Sequence, residues 1–287
     1  MVSQIPKETC PRPFLKWAGG KNRLIPQYEG YFPPHFHTYY EPFLGGGAVF
    51  FHLRPKTAIL TDINAELITT YHCVRDHVQE LIELLKEHKI GHNPSYYYDV
   101  RNYCERTDLE KAARFIYLNK TCFNGLYRVN SQGKFNVPLG RYKNPGICQE
   151  DVLRIASQAL SQADIQQADF TEVLNYATSS DDFVFFDPPY YPVSETSYFT
   201  AYSRYAFAES QQVELRDVFV KLAERGVKVM LSNSDCKFIR ELYSNFNIHT
   251  ISAARSINSN AKKRGKITEV LVTSYSRSQE SGVRSQE

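Results

Sequence analysis

Residues Phe183 to Pro192, FVFFDPPYYP, limit the folds open to this chain more than any other stretch. Four apolar residues run into an acid, and two consecutive prolines follow it. The run reads as a strand, DDFVFFD, closing at Asp187. Proline fixes its own φ, offers no N–H to a sheet and restricts the residue before it. The pair therefore ends the strand and holds the Asp187 carboxylate and the Pro188 carbonyl in place as two rigid acceptors.

Other short strands share this habit of ending in a chemically useful group. HTYYEPF (37–43) leads into LGGGAVFFHL, a glycine turn followed by a helix, and TAILTD ends at Asp62. INAELITTYHCVRDHVQELIELLKEHK then continues with apolar residues at helical spacing. Helical pattern returns from about Pro94 to Thr121, with TDLE (107–110) fitting a capping box. Residues 122–146 are rich in Asn, Gly and turn pairs and read as a hairpin with loops. Beyond them come a helix (150–162), a strand DIQQAD ending at Asp169, the strand ending at Asp187, a helix (208–225), VKVMLSN, a helix near 235–244, NIHTIS and TEVLVTSY. Strands alternating with helices predict an α/β domain on a mostly parallel sheet, with 64–149 inserted into it and a disordered tail after Tyr275.

With 287 residues, 42% hydrophobic and 23% charged, the chain has an ordinary globular composition. It has no apolar run of membrane-spanning length, and its first residues lack the apolar core of a signal peptide, so a cytoplasmic protein is expected. The six cysteines include no Cys-x-x-Cys pair, which points to neither zinc nor a disulfide framework. Net charge is only +3, yet two acid-free stretches, Lys111–Gln149 and Leu242–Thr268, hold 12 of the 34 basic residues. Basic, aromatic-laced segments on an otherwise acidic chain suggest a face for a polyanion.

In open parallel sheets ligands bind at the carboxyl ends of strands. A glycine loop followed 15 to 20 residues later by an acid follows the nucleotide-binding logic, with the acid on ribose hydroxyls. GGG is not G-x-G-x-x-G, however, and it suits a ligand with a ribose and no pyrophosphate, S-adenosylmethionine rather than NAD. The alternative is a plain backbone turn. The acceptors of Asp187 and Pro188 suit an exocyclic amino group: taking both N–H groups leaves the nitrogen lone pair poorly conjugated and aimed at an electrophile such as a methyl sulfonium. Tyr190 could stack on the base, which must leave the duplex to be reached. The competing reading is an acid and two prolines that merely close a strand.

Six blocks in order, FLKWAGGK (14–21), EPFLGGGAVF (41–50), DIN (62–64), NGLYRVNSQGKFNVPLGRY (124–142), DPPY (187–190) and SINSN (256–260), resemble the Dam-type DNA adenine-N6 methyltransferases of the alpha group. The likeness spans roughly residues 13–275, and the block 124–142 resembles the GATC-reading branch. It implies a Rossmann-like S-adenosylmethionine-dependent methyltransferase sheet (11–63 and 150–276) with an inserted, mostly helical DNA-recognition domain (64–149). By the same resemblance Trp17, Lys21, Gly45, Gly46, Gly47 and Asp62 contact the cofactor, Asp169 and Phe170 hold its adenine, and Asp187, Pro188, Pro189 and Tyr190 grip the target adenine, Asp187 also contacting the cofactor. Phe123 would wedge into DNA beside Asn124, in place of the familiar tyrosine. Arg128 would read a guanine, Leu126 and Pro138 a thymine methyl, Lys16 and Tyr142 the outer guanine, and Arg141 a phosphate. Residues 255–266 would form a backbone-contacting loop. The implied reaction is direct methyl transfer to N6 of a flipped adenine in duplex DNA, by a monomer, without metal or membrane. Adenine in RNA, a longer DNA site, or a DNA-binding module without activity are the alternatives.

Overall fold

The computed structural model describes residues 10–103, 106–192, 207–254 and 266–276. The described strands are β1 (Thr38–Glu41), β2 (Thr57–Asp62), β3 (Ala163–Gln167), β4 (Asp182–Phe186), β5 (Lys228–Ser234), β6 (Asn247–Ala254) and β7 (Lys266–Thr273). They form one sheet in the order β3-β2-β1-β4-β5-β7-β6. The first five are mutually parallel, and β7 runs antiparallel between β5 and β6. This is the expected Rossmann-like α/β sheet, with an antiparallel pair at its far edge.

The run that opened the sequence reading is buried on both faces because the sheet is covered on both. Phe183 and Phe185 point into one core, Val184 and Phe186 into the other. Tyr39 and Tyr40 of β1 divide in the same way, as side chains on a pleated strand must. The first core is lined by α1 (Ala48–Leu53), α2 (Ala65–Asp76), α3 (Val78–Gly91), α4 (Pro94–Asn102), α5 (Asp108–Thr121) and α6 (Glu150–Leu160). The second is capped by α7 (Glu209–Glu224) and α8 (Lys237–Leu242).

Several boundaries differ from the sequence reading. The apolar periodicity after Asp62 spans two helices, because His77 leaves helical geometry (φ −134°, ψ 36°) while its N–H still donates to the Cys73 carbonyl. Asp169 lies two residues past the end of β3. Residues 64–149 do not stand apart from the sheet. Within them α2 packs on β2 and β3 as well as on α5 and α6, and one continuous core joins these helices to the inner face of β1 and β4. The expected tail (277–287) and the loop at 255–265 lie outside the described residues.

The capping box stands where the sequence placed it. Glu110 N–H donates to Thr107 Oγ1 at 3.2 Å, and Thr107 N–H donates to Glu110 Oε2 at 3.1 Å. It starts the helix that carries Asn119 toward the site described below. Replacing Thr107 with alanine removes one partner of the box and is expected to cost about 1 kcal/mol, seen as a lower urea midpoint with an unchanged slope.

Candidate active site

The chain leaves β1 toward β2 and β3, then returns on the other side of β1 as β4. The loops after β1 and β4 therefore flank the crevice where an open sheet binds its ligands. In the first loop Gly45 and Gly47 adopt φ of 47° and 63°. A Cβ on Gly45 would lie 2.6 Å from Trp17 Cδ1, and one on Gly47 2.9 Å from the Tyr71 hydroxyl, so both positions demand glycine. Asp62, at the end of β2, accepts from Gly45 N–H at 3.1 Å and from Asn64 N–H at 3.0 Å. Burial pushes its carboxyl up against these stabilising bonds. Trp17, Gly45, Gly46, Gly47 and Asp62 are thus brought together.

Asp169 sits on the same rim, since the neighbouring Ala168 N–H donates to the Asp62 carbonyl at 3.3 Å. Its Oδ1 accepts from Thr171 N–H and Oγ1. Phe170 is buried, stacked on Phe43 at 5.5 Å between ring centroids and met edge-on by Phe207 at 5.6 Å.

At the tip of β4 the Asp187 carboxylate receives two donors. Lys21 Nζ lies 2.8 Å from Oδ1, and Ser232 Oγ donates to the same oxygen at 2.8 Å. The Lys21 side chain is buried, also donates to the Gly19 carbonyl at 2.6 Å, and stands 4.5 Å from the centroid of the Tyr190 ring. Sequence alone placed Lys21 among the cofactor contacts; the fold sets its ammonium on the carboxylate of the Asp-Pro-Pro-Tyr turn.

The end of β5 and the helix behind it secure that turn. Gln212, fully buried on α7, donates to the Pro189 carbonyl at 3.0 Å and accepts from Asn233 Nδ2 at 2.9 Å. Asn233 Oδ1 accepts from Tyr191 N–H at 3.1 Å, and Ser234 Oγ donates to the Tyr191 carbonyl at 2.6 Å. The Tyr190 hydroxyl donates to Glu269 Oε2 on β7 at 2.6 Å.

The hairpin expected to read DNA lies beside this crevice. Phe123 N–H donates to the Pro138 carbonyl and Gly140 N–H to the Thr121 carbonyl, which closes 121–126 against 137–140. Asn130 turns the hairpin by accepting from Gln132 and Lys134 N–H. Phe123, Asn124, Arg128, Pro138, Arg141 and Tyr142 are exposed, while Leu126 is half-buried. Arg128 is steered by Asn136, accepting its Nε–H at 2.7 Å. Lys16 reaches the same surface because the buried Asn119 accepts from its N–H and donates to its carbonyl, and its ammonium stands 3.8 Å from the Tyr142 ring centroid. Trp17, next in sequence, stacks on Tyr127 at 6.1 Å and on Phe115 at 6.5 Å.

A family model described as D12 class N6 adenine-specific DNA methyltransferase matches residues 17–257. The chain belongs to this class. It is 45% identical over 272 residues to the Type II methyltransferase M1.LlaDCHI of Lactococcus lactis subsp. cremoris, covering 92% of this chain and 95% of the relative. It is 42% identical to the Type II methyltransferase M.MjaIII of Methanocaldococcus jannaschii, covering 92% and 99%. It is 36% identical to the DNA adenine methylase of Escherichia coli K12, covering 91% and 94%.

A D12 methyltransferase uses S-adenosylmethionine, and the residues present suit it. The glycine loop packs too closely on Trp17 and Tyr71 for side chains at Gly45 and Gly47, Gly46 between them is only half-buried, and the Asp62 carboxylate stands at the loop's edge with lone pairs to spare. Among the described residues no helix is long and apolar enough to cross a membrane, and no group of three or more His, Cys, Asp or Glu could hold a metal.

Six residues of this D12 site escaped the sequence reading: Glu41, Asn119, Gln212, Ser232, Asn233 and Glu269. Only Glu41 carried a local signal, an acid at the end of β1 immediately before the loop. It is buried, and its Oε2 accepts from the Tyr39 hydroxyl at 2.9 Å and Phe50 N–H at 3.2 Å. Burial foremost, with the nearby Asp187 and Asp62, outweighs those bonds and pushes its carboxyl up to about 8. Between the ordinary carboxylate range and pH 8 the unfolded chain has released a proton that the folded chain keeps, so Glu41 makes stability fall as pH rises through this window. Glu41→Gln, neutral throughout, is expected to gain on the parent in urea midpoint as pH is raised from 5 to 8. A gap that does not change with pH would contradict this.

Proposed function

We propose that the enzyme methylates the adenine of GATC in duplex DNA, flipping the base into the crevice between the loops after β1 and β4. The observation that carries this reading is the pair of acceptors at Asp187 and Pro188, fixed by prolines and adjoining the glycine loop. When bound, S-adenosylmethionine supplies a methyl group on a sulfonium, an electrophile. The Asp187 carboxylate and the Pro188 carbonyl accept the two N–H groups of the adenine amine and turn its lone pair out of conjugation. Because Lys21 holds Asp187 Oδ1, the incoming amine either uses the other oxygen or displaces the ammonium. Tyr190 stacks on the flipped base. Trp17, Lys21, Gly45, Gly46, Gly47, Asp62, Asp169 and Phe170 serve the cofactor.

On the DNA side, within residues 64–149, Arg128 takes a guanine through its planar fork, Leu126 and Pro138 meet a thymine methyl, and Phe123 and Asn124 enter the gap left by the flipped base. Lys16 and Tyr142 face the outer guanine, with Arg141 on a phosphate. The enzyme acts in the cytoplasm as a monomer and treats each strand of the palindrome in turn.

Sequencing N6-methyladenine in plasmid DNA from a methylation-deficient host is expected to find it confined to GATC when this chain is expressed. Methylation in another context would reject the assignment of the hairpin while keeping the chemistry. Unmodified DNA from soluble, cofactor-binding protein would point to RNA. Asp187→Ala is expected to lower turnover by on the order of 100-fold or more. Arg128→Ala should instead cost about 1–3 kcal/mol in specific binding and relax the choice of base at one position.

A further inference from the structure

Tyr190 follows two prolines, yet its backbone alone does not set the plane of its ring. Two contacts restrict that plane. The Lys21 ammonium lies against the ring at 4.5 Å from its centroid, and the hydroxyl donates to Glu269 Oε2 at 2.6 Å, the length of a charge-assisted O–H···O bond. Glu269 is a firm post. It sits on β7 between two antiparallel partners, opposite Ser234 on β5 and Ile251 on β6. Ser234 in turn holds the residue after Tyr190 through the Tyr191 carbonyl, so β5 and β7 secure the turn from adjoining positions. The phenol keeps its proton for this bond: burial foremost, then the neighbouring Tyr28, Asp187 and Glu269, pushes its pKa well above the ordinary value. Glu269 has no other role in the reading above.

We propose that Glu269 is a positioning residue for methyl transfer, holding the Tyr190 ring by its hydroxyl in the orientation that receives the flipped adenine. It acts through Tyr190 and does not touch the base. A stacking platform set in advance spares the bound complex the cost of ordering it, so the effect belongs in turnover and in the state of the flipped base more than in cofactor binding. The inference rests on the reading that Tyr190 stacks on the adenine.

The test is a double-mutant cycle with Tyr190→Phe, Glu269→Ala and both together, read by kcat, by KM for DNA and cofactor, and by the emission of 2-aminopurine at the target position. Tyr190→Phe keeps the ring and removes the hydroxyl that bonds to Glu269 and neighbours Tyr28. It and Glu269→Ala are each expected to lower kcat by about tenfold, the scale of a hydrogen bond to a charged group, with cofactor KM unchanged and altered 2-aminopurine emission. Glu269→Gln, which retains an acceptor oxygen, is expected to recover part of the loss. In the Tyr190→Phe background Glu269→Ala should add less than about twofold, because the bond is already gone. An unchanged kcat and emission in Tyr190→Phe would overturn the proposal. So would an equal penalty for Glu269→Ala in both backgrounds. Should Glu269→Ala not fold, Tyr190→Phe and Glu269→Gln decide by the same readouts. Tyr190→Ala separates the two layers: if it leaves turnover and emission intact, the stacking reading fails. If it is damaging while the cycle is additive, only the role of Glu269 fails.

Discussion

The parallel pairing of β1 with β4, Thr38 beside Asp182 through Tyr40 beside Val184, is the constraint on which the rest of this molecule depends. Their paired residues are 144 positions apart in sequence, and the two strands between them, β2 and β3, lie on one side of β1. Their adjacency sets a loop that only glycine can form beside a turn that two prolines make rigid. The first packs its backbone against Trp17 and Tyr71, and the second holds the Asp187 carboxylate at the tip of β4. Neither loop holds a reaction alone. The sheet supplies the shared edge, and the paired aromatic residues of β1 and β4, sorted onto opposite faces, keep the strands in register with the cores above and below.

Charge is arranged at this edge with similar economy. The Asp187 carboxylate is met by the buried ammonium of Lys21 and the Asp62 carboxylate by the N–H groups of Gly45 and Asn64, while Glu41 keeps its proton at neutral pH because ionising it would add another charge to a dry, acidic place. The remaining excess of negative charge matches a donor whose reactive centre is a sulfonium. A buried ion pair contributes little net stability once desolvation is counted, whereas removing one partner leaves the other uncompensated. Lys21 therefore matters to the Asp187 carboxylate more than to the fold.

The sequence made legible whatever is written locally. Strand ends at Asp62 and Asp187, the left-handed glycines, the capping box at Thr107 and the hairpin turn at Asn130 are each dictated by residues within a few positions of one another. The break at His77 was hidden because apolar spacing continues across it. The reversal of β7 was equally hidden, since strand pattern carries no direction. Gln212, Asn233 and Glu269 were invisible for a further reason: amide and carboxylate side chains on a helix or strand are ordinary surface residues until the fold brings the turn at 187–191 to them, from 23 to 79 positions away.

Trp17 shows why the glycine loop and the hairpin surface form one structure in this chain. Its indole fills the space that a side chain on Gly45 would need, and it packs in one cluster with Phe115 of α5 and Tyr127, the residue before Arg128, whose rings also touch each other at 5.3 Å. Tyr127 is itself tied to Glu66 on α2, just past Asp62 and Asn64, by a 2.6 Å hydrogen bond from its hydroxyl. The preceding residue, Lys16, is locked to Asn119 and carries its ammonium to Tyr142. Two consecutive residues thus face two tasks, one lining the glycine loop and the other standing on the hairpin surface. Close-packed aromatic rings transmit displacement and do not absorb it. A shift of the hairpin would move Tyr127, then Trp17, then the space above Gly45, so the geometry of the hairpin and the geometry of the glycine loop are set by the same cluster.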